Sequence, residues 1–471
     1  MLSSVRDLGW LLHALLALVA VAFALARRRD PASTLAWVLG IVFIPVAGPL
    51  AYFALANPYV ARPRDRRRDA ARRMREDNPL HADVVASDLH PAARSVIEGC
   101  RRLTGLPATA GNRVVLYSET GLAESARLAA IEAASDHIWA EYYIVHGDEA
   151  GQRFLAALAA RSRAGVDVRL LVDAVGSMDI DRDGVASLRA AGGHVEVFHP
   201  VNPLRRRWAV HLRNHRKILV TDGTMAFCGG MNIGDNYARR RRRKPPPFRD
   251  TMLRIEGPAA LDLARVFAED WCFMRGETLR LCETTGRPGQ TAVAVLPSGP
   301  DQAHNATALA WFSAVSLSLE RCWLTTPYFV PDAAMLRALS TAARRGVDVR
   351  VVLPKNADFW LMDLVNRSYY LPLLECGARV FEYAPAMLHA KTLVIDGHLA
   401  LVGSANVDMR SFDLNFEVGA LVADQAFAAT VEAAIEADIA RSREVTLDEM
   451  RRGPLLAALA QGAAKLLSPV L

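Results

Sequence analysis

The first 56 residues carry two long apolar segments. Leu8–Ala26 is apolar apart from His13, and as a helix rising 1.5 Å per residue it would cross the roughly 30 Å hydrocarbon layer of a bilayer. The uncharged segment Pro31–Ala56 follows, but a proline- and glycine-containing stretch at 45–49 predicts a kink or a partly interfacial position. We therefore predict two N-terminal membrane helices. A removable signal peptide is less consistent, because the first segment lacks a small-x-small cleavage site.

Arginine clusters flank both segments, at Arg27–Arg29 and, more densely, at Arg62–Arg75. Positive charge near a membrane segment favours the cytoplasmic side. The larger cluster therefore predicts that the rest of the chain is cytoplasmic. The smaller cluster favours the cytoplasmic side for the intervening loop as well, which conflicts with a second segment that crosses the membrane. A hairpin that enters and leaves by one face satisfies both clusters only if neither segment spans fully.

Beyond residue 105, short apolar runs with strand periodicity recur in the same order in two halves, separated by alanine-rich stretches with helical periodicity. The predicted strands are Arg113–Tyr117, His137–Val145, Asp167–Val172, His194–Phe198, Lys217–Thr221, Met225–Cys228 and Thr251–Ile255 in the first half, and Thr291–Leu296, Cys322–Val330, Asp348–Leu353, Ala378–Tyr383, Lys391–Ile395, Leu399–Val402 and Glu417–Val422 in the second. The predicted helices include Leu122–Ser135, Ala150–Arg163, Ala334–Arg344 and Gln425–Arg441.

The two halves also match in sequence, most clearly between Ala164–Val172 and Arg345–Leu353. Alternating strands and helices in a repeat of this length predict an α/β fold with two tandem domains, mixed sheets flanked by helices, preceded by the two membrane helices. The predicted ranges are a membrane anchor at 1–60, a basic juxtamembrane linker at 61–104, a first domain at 105–285, a second at 286–446, and a C-terminal packing or interfacial helix at 447–471.

Composition narrows the class of protein. The 471 residues are 52% hydrophobic and 23% charged, which excludes wholesale disorder, and the net charge of +6 favours an anionic partner such as acidic lipid, a phosphate ester or nucleic acid. The six cysteines are scattered without a Cys-x-x-Cys pair, so a structural zinc site and a disulfide framework are not predicted. The sequence also lacks a nucleotide-binding loop and a Cys/His cluster, and we expect neither a metal nor a cofactor.

Each half contains the same constellation of polar residues at identical spacing. It consists of a His-x-Lys pair, an Asp five residues on, a Gly seven further and an Asn three beyond that. Residues two apart on a strand share a face, so each His and Lys would point into one site, and the returning strand would bring the Asn beside its own histidine. The residues are His215, Lys217, Asp222, Gly229 and Asn232 in the first half, and His389, Lys391, Asp396, Gly403 and Asn406 in the second.

These residue types suit phosphoryl chemistry. Histidine attacks phosphorus or transfers a proton near neutral pH, and lysine and asparagine stabilise the phosphoryl oxygens. Lysine is rare in this arginine-rich chain, with only five in total, so its presence in both motifs indicates a need for a compact charge. Asp222 and Asp396 are expected to fix the turn and the lysine.

The paired motifs resemble those of the phospholipase D superfamily over roughly residues 105–445, and the N-terminal Arg28–Pro31 and Ala36-Trp37 and the tract Arg410–Glu417 resemble bacterial cardiolipin synthases. The resemblance implies that both motifs form one metal-free site. It implies a phosphatidyltransferase acting on phosphatidylglycerol in the bacterial inner membrane, as a multi-pass protein with cytoplasmic catalytic domains. Anionic membrane lipid is then the partner, and nucleic acid is not expected.

By the same resemblance, His215 is the nucleophile and forms a phosphatidyl-histidine, and His389 is the acid and base, with the reverse assignment open. Glu417 and Asp250 would orient the imidazoles through carboxylate hydrogen bonds. Ser404 belongs, with the two motif asparagines, to the predicted phosphate-binding or orienting set.

Several alternatives stay open at this level. Water in place of a lipid acceptor would make a hydrolytic phospholipase D, and phosphatidylethanolamine could replace the second phosphatidylglycerol. A nucleic-acid phosphodiesterase fits the basic charge but does not need membrane segments. An inert lipid-binding scaffold does not need intact motifs. The basic run Arg239–Lys244 would either grip anionic headgroups or form a solvated loop. Tyr143 and Tyr328, at matching positions, either line the pocket or belong to the core.

Overall fold

The structure, a computed structural model, describes residues 2–26, 31–55, 61–78, 89–198, 212–238, 246–281, 286–302 and 304–466. The arginines at 27–29 and the basic run at 239–244 lie outside these residues, and so do their predicted roles. The chain forms two compact units, residues 1–65 and residues 66–471.

The N-terminal unit contains α1 (Leu2–Ala26), α2 (Pro31–Phe43) and α3 (Ala47–Leu55). Within α1, Gly9–Ala26 is long and apolar enough to cross a membrane, which agrees with the first predicted membrane helix. The second apolar segment is instead broken into two short helices by a turn in which Val46 has a φ of 61°. In the described part of the chain, α1 is thus the one helix of membrane-spanning length and composition. The predicted kink lies at the proline-containing turn.

The three helices of this unit pack on one another through small and aromatic side chains. A Cβ on Gly48 would lie 2.1 Å from the carbonyl oxygen of Gly40, so only glycine permits this approach of α3 to α2. His13 Nδ1 of α1 accepts a hydrogen bond of 3.2 Å from the backbone N–H of Val46. The polar interruption in the first apolar segment therefore has a structural partner in the turn.

The unit 66–471 is a mixed α/β structure in which the repeat predicted from sequence is visible element by element. Its first half contains α4 (Ala61–Asp77, beginning before the unit), α5 (Pro91–Thr104), β1 (Thr109–Tyr117), α6 (Thr120–Ala133), β2 (His137–Tyr142), α7 (Glu149–Arg163), β3 (Asp167–Asp173), α8 (Arg182–Ala190), β4 (His194–Phe198), β5 (Lys217–Thr221), β6 (Met225–Gly229), β7 (Met252–Glu256) and α9 (Pro258–Arg275).

The second half repeats this succession with extra short elements. It contains β8 (Thr291–Ser298), α10 (Ala306–Leu317), β9 (Arg321–Thr325), β10 (Phe329–Val330), α11 (Ala333–Arg344), β11 (Asp348–Pro354), α12 (Trp360–Ser368), α13 (Tyr370–Leu374), β12 (Arg379–Tyr383), β13 (Thr392–Ile395), β14 (Leu399–Gly403), β15 (Val407–Asp408), α14 (Met409–Asp413), β16 (Glu417–Ala423), α15 (Gln425–Ile439), β17 (Ser442–Val445), α16 (Leu447–Arg452) and α17 (Leu455–Lys465).

Fifteen of the described strands, seven from the first half and eight from the second, join into one sheet with a repeated order, and β10 and β15 pair separately. The first half runs β1-β7-β6-β5-β2-β3-β4, and the second runs β8-β16-β14-β13-β9-β11-β12-β17. The two series meet where β1 pairs antiparallel with β8, around Thr109↔Val293 and Asn112↔Thr291, with a register irregularity between them. The inner strands are buried and covered by helices, as mixed sheets of this class require. The predicted tandem α/β fold is confirmed.

Helices outside the predicted set complete the core. Every residue of α9 from Ala259 to Met274 is buried, and the helix contacts β1, β2, β5, β6, β7 and β8. The range 61–104, predicted as a linker, contains two helices that pack on the catalytic unit. On α4 the side chains of Arg67, Ala70 and Met74 are buried, and α5 contributes apolar residues to the core of the second half.

Candidate active site

Both motif histidines lie just ahead of their strands, held by backbone pairing with the opposite half. The N–H of His215 donates to the carbonyl of Phe416 at 2.8 Å, and the N–H of His389 donates to the carbonyl of Arg249 at 2.7 Å. β5 begins only at Lys217 and β13 only at Thr392. The expectation that each histidine lies on the motif strand itself is therefore wrong. The partner is a segment of the other half, which local sequence could not reveal.

Each imidazole is paired with a carboxylate from the other half. His215 Nδ1 lies 3.0 Å from both carboxylate oxygens of Glu417, and His389 Nδ1 lies 2.7 Å from Asp250 Oδ2. These bonds favour the tautomer with the proton on Nδ1 and leave Nε2 as the lone-pair nitrogen. Both halves are thus needed to build either histidine site.

The two motif lysines are fully buried beside the histidines. Lys217 Nζ donates to the backbone carbonyl of His215 at 2.6 Å, and Lys391 Nζ donates to that of His389. Lys391 Nζ also lies 2.8 Å from Nδ1 and 3.1 Å from Nε2 of the His389 ring. The ammonium groups are therefore fixed by the backbone two residues before them, next to the imidazoles.

Burial sets the protonation of the site. It lowers the pKa of His215 to about 4, with Lys217 adding to the decrease and Glu417 opposing it. Burial and Lys391 likewise lower the pKa of His389, against the opposing effect of Asp250. Both imidazoles are thus neutral near pH 7 in the free protein.

The lysine pKa values are lowered too. Burial brings the pKa of Lys217 to about 7 and that of Lys391 to about 8, although Glu417 and Asp250 oppose the decrease in both cases. Each lysine also acts electrostatically on the histidine of the other motif. The two motifs therefore form one electrostatic unit of two cations, two carboxylates and two neutral imidazoles.

The residue that follows the motif glycine in each half lies against the histidine-orienting carboxylate of the same half. In the second half, Ser404 Oγ donates to Glu417 Oε2 at 2.5 Å and accepts from the N–H of Val418 at 2.9 Å. In the first half the matching residue is Gly230, where a Cβ would lie 2.2 Å from Asp250 Oδ1. Serine binds one carboxylate, and glycine makes room for the other.

The motif asparagines bond to neighbouring loops instead of to the histidines. Asn232 accepts from the N–H of Ile144 at 3.2 Å and donates to the hydroxyl of Tyr237 at 3.2 Å. Asn406 Nδ2 donates to Asp408 at 3.1 Å. Both asparagines thus hold in place, through these hydrogen bonds, the loops beside the site.

Aromatic rings line the histidines. The ring of Tyr143 lies 4.9 Å from that of His215, as one reading of the matched tyrosines predicted, and Tyr237 and Phe248 lie 5.6 and 5.9 Å from His389. Neither Tyr237 nor Phe248 was predicted from the sequence to line the site. The signal available was their position on either side of the basic run that follows the first motif.

Asp222 and Asp396 stand at the far ends of the motif strands. Both have positive φ, at 53° and 48°, and each carboxylate accepts hydrogen bonds from three successive backbone N–H groups at the start of a neighbouring strand. The N–H groups belong to residues 135–137 and 319–321. The expectation that these aspartates fix the turn agrees with this geometry. Among the described residues, however, their carboxylates bond to residues 135–137 and 319–321 and not to a motif lysine.

A buried ionic network lies behind the first motif and was not anticipated. Arg216 donates to the backbone carbonyl of Glu417 at 3.0 Å and forms a short ion pair with Asp270 of α9. Arg67 of α4 reaches the same Asp270 at 2.7 Å. The residue matching Arg216 in the second motif is Ala390, so only the first motif is tied to α4 in this way.

No group of three or more His, Cys, Asp or Glu side chains in the described ranges is arranged to hold a metal ion. The geometry thus supplies two Nε2 atoms, two ammonium groups and no evident ligand set. Such a site can form and break a bond to phosphorus with protein groups alone.

Comparison with known proteins agrees with this geometry. The family described as "Cardiolipin synthase, PLD-like domain" matches residues 128–271 and again 313–439, and a family described as "Phospholipase D-nuclease N-terminal" matches residues 14–56. The first family therefore matches once in each half, and the two matches together cover more than half of the chain.

Similar proteins match over nearly the full length. The chain is 35% identical to a cardiolipin synthase of Geobacillus kaustophilus over 94% of this chain and 90% of that protein. It is 36% identical to cardiolipin synthase A of Pseudomonas aeruginosa over 100% of this chain and 97% of that protein. The crystal structure of phosphatidylserine synthase from Haemophilus influenzae shares the fold, with a TM-score of 0.61 at 16% identity over 80% of this chain and 100% of that one. The chain belongs to the cardiolipin synthase family, with two phospholipase D-like domains.

Proposed function

We propose that this chain is a membrane-associated phosphatidyltransferase that joins two phosphatidylglycerol molecules into cardiolipin and releases glycerol. The observation that carries the proposal is the crossed arrangement of His215 with Glu417 and His389 with Asp250. It presents two oriented Nε2 atoms beside two buried ammonium groups. Family membership supports the lipid product, and the apolar helix α1 supports a substrate that lies in a bilayer.

In the first step, Nε2 of neutral His215 attacks the phosphorus of a phosphatidylglycerol. A P–N bond forms, the P–O bond to the headgroup glycerol breaks, and His389 gives its Nε2 proton to the leaving oxygen. The lowered pKa of His215 supports its role as the nucleophile, since it is unprotonated near pH 7. The anionic phosphodiester would raise the pKa of His389 on binding and so supply the acid form.

In the second step, a headgroup hydroxyl of a second phosphatidylglycerol attacks the phosphatidyl-histidine. Neutral His389 takes the hydroxyl proton, the new P–O bond forms, and the P–N bond to His215 breaks. Lys217 and Lys391 stabilise the charge on the non-bridging oxygens in both steps. The chain's own groups therefore return to their starting state after each cycle.

We also propose that the unit 66–471 acts at the cytoplasmic face of a bacterial membrane. The arginines of α4 directly follow the apolar N-terminal unit, and basic residues flanking a membrane segment favour the cytoplasm. The exposed arginines of α4, such as Arg72 and Arg73, suit the anionic surface that phosphatidylglycerol creates.

The test uses full-length protein in detergent, incubated with phosphatidylglycerol, followed by separation of the lipids and assay of free glycerol. Cardiolipin and glycerol in equal amounts support the proposal. Phosphatidic acid with no cardiolipin would instead show a hydrolase. Supplying phosphatidylethanolamine with phosphatidylglycerol then tests the donor. Its headgroup has no hydroxyl to act as acceptor, so release of free ethanolamine together with cardiolipin would show that phosphatidylethanolamine supplies the phosphatidyl group and would exclude strict use of phosphatidylglycerol.

A further inference from the structure

The outward face of α17 has an unusual composition for a helix on the surface of a catalytic unit. Leu455, Leu456 and Leu459 are 75%, 80% and 60% exposed. The other exposed positions of this helix are alanines and one glycine. Surface helices normally direct charged or polar residues outward, so a face of leucine and alanine indicates that something apolar covers it.

The opposite face of α17 accounts for its position. It packs along α12, Ala464 is buried, and Lys465 Nζ lies 4.2 Å from the ring centroid of Tyr369. The one charged residue of α17 is therefore used in packing. The helix is therefore already packed on the catalytic unit through its other face, and the leucines lie on the face that remains exposed.

α12, on which α17 packs, adds exposed aromatic side chains at its start. Its first residue, Trp360, is 68% exposed, and Phe359 before it is partly exposed. The neighbouring Asp358 accepts a hydrogen bond of 2.6 Å from the Tyr328 hydroxyl and acts electrostatically on Lys391. The exposed aromatic pair is therefore joined through Asp358 to the surroundings of the second motif.

Charge next to this surface favours an anionic partner. Arg452 and Arg451, at the end of α16, precede α17 directly, and their side chains are largely exposed even though they contact Asp448 and Glu375. Leucine and aromatic side chains beside arginines are the composition of elements that lie in a bilayer interface and bind anionic lipid.

We propose that Phe359, Trp360, Leu455, Leu456 and Leu459 form an apolar docking surface that inserts into the anionic lipid bilayer and places the catalytic site at the membrane. This inference rests on the proposed function, because a lipid substrate must pass from the bilayer to the histidines. A second copy of the chain is the competing occupant, and the experiments below separate the two.

The first experiment uses the full chain in vesicles of phosphatidylcholine and phosphatidylglycerol that contain a phosphatidylcholine with a photoreactive group in its acyl chain. After illumination, labelled peptides are mapped by mass spectrometry. Labels are expected on the peptides with 359–360 and 455–459 as well as on α1, which is the internal positive control. Labelling of α1 without these two peptides would overturn the proposal.

The second experiment replaces the three leucines, as Leu455→Gln/Leu456→Gln/Leu459→Gln, since glutamine preserves helix propensity. The KM for phosphatidylglycerol in vesicles should rise roughly tenfold, because the inserted apolar area is lost. Turnover of short-chain phosphatidylglycerol dispersed in detergent should stay at the wild-type level. Leu319→Gln, which removes an equally exposed leucine at the far turn beside Asp396, is the control and should change neither value.

These outcomes distinguish the surface from the reaction itself. If the wild type makes no cardiolipin in detergent, the proposed function fails, whereas the labelling result still reports on the surface. An unchanged KM of the triple variant in vesicles would refute docking to lipid. A wild-type oligomer that dissociates in the triple variant, without lipid labelling, would assign the surface to a second copy.

Discussion

Glu417, which opens strand β16 in the second half, holds the imidazole of His215, which precedes strand β5 in the first half, at 3.0 Å from Nδ1. The reciprocal pair, His389 and Asp250, is built the same way. Each half thus orients the histidine of the other. It follows that neither half contains a competent site by itself.

Replacing Glu417 with glutamine should leave the fold intact but remove the charge that orients His215 and stabilises its cationic form. We expect kcat to fall by about 10²- to 10⁴-fold with little change in KM. Asp250→Asn should have a similar effect at His389, and steady-state kinetics on phosphatidylglycerol measure both. Glu444→Gln, in an exposed ion pair with Arg379, is the matched control and should behave as wild type. A Glu417→Gln enzyme with wild-type kcat would contradict the orienting role.

The two lysines predict an alkaline decline in activity. In the proposed mechanism they stabilise the phosphoryl oxygens only when protonated, and burial lowers their pKa values to about 7 and about 8. Consequently kcat/KM should fall as pH rises through 7 to 8. The acid side should stay high well below pH 6, because the pKa of His215 is about 4. A kcat/KM profile measured with short-chain substrate checks both sides.

Arginine at the lysine positions sharpens this experiment. Lys391→Arg keeps a group that remains protonated throughout the range, so the alkaline decline should weaken even though overall activity drops from the altered geometry. An identical alkaline decline in Lys217→Arg and in Lys391→Arg would show that neither lysine causes it.

The ion pair between Arg67 and Asp270 connects helix α4 with the first motif through Arg216. Arg67→Ala would leave a buried carboxylate with one partner fewer and loosen the backbone near Glu417. We expect kcat to fall about 10-fold or more, partial rescue in Arg67→Lys, and a smaller effect on KM. Arg72→Ala, on the exposed side of the same helix, is the control. Equal kinetics for both alanine variants would make α4 a passive linker.

Asp222 and Asp396 should matter for stability more than for chemistry. Each accepts hydrogen bonds from three backbone N–H groups at the far end of a motif strand, so Asp396→Ala should cost about 2–4 kcal/mol of folding free energy. Asp396→Asn, which tolerates the positive φ, should cost less. Thermal unfolding in detergent measures the loss, and the folded fraction should keep near-normal kcat. A stable but inactive Asp396→Asn enzyme would instead place this residue in the reaction.

Sequence alone predicted the parts of the fold that repeat and the motif histidines and lysines that the structure places beside their carboxylate partners. Strand periodicity and the identical motif spacing located the strands within a few residues, and the returning strand pointed to Ser404 and the motif asparagines. Family resemblance implied that Glu417 and Asp250 orient the imidazoles, but it did not assign Glu417 to His215. Nothing in the local spacing could show it, because the two residues are 202 positions apart.

What escaped prediction depends on long-range contacts. α9 has polar residues on several sides, which does not predict a buried helix. It is nevertheless almost wholly buried, and the charge of its Asp270 is paired with Arg216 and Arg67. The charge pattern of α4 predicts a solvated basic linker. Only the folded structure shows that Arg67 in this helix is buried. The stretch at 45–49 predicted the kink in the second apolar segment, but it did not predict that the segment forms two short helices, α2 and α3, in close contact at Gly40 and Gly48.

Detection of the covalent intermediate is the most direct test of the proposed two-histidine mechanism. The enzyme would be mixed with phosphatidylglycerol, quenched in alkaline denaturant within milliseconds to preserve an acid-labile P–N bond, digested and examined by mass spectrometry, with His389→Ala and His215→Ala as companions. We predict a phosphatidyl adduct on His215 in the wild type and none in His215→Ala. An adduct on His389 would reverse the roles of the two histidines. Cardiolipin formation that persists in His215→Ala would contradict the mechanism altogether.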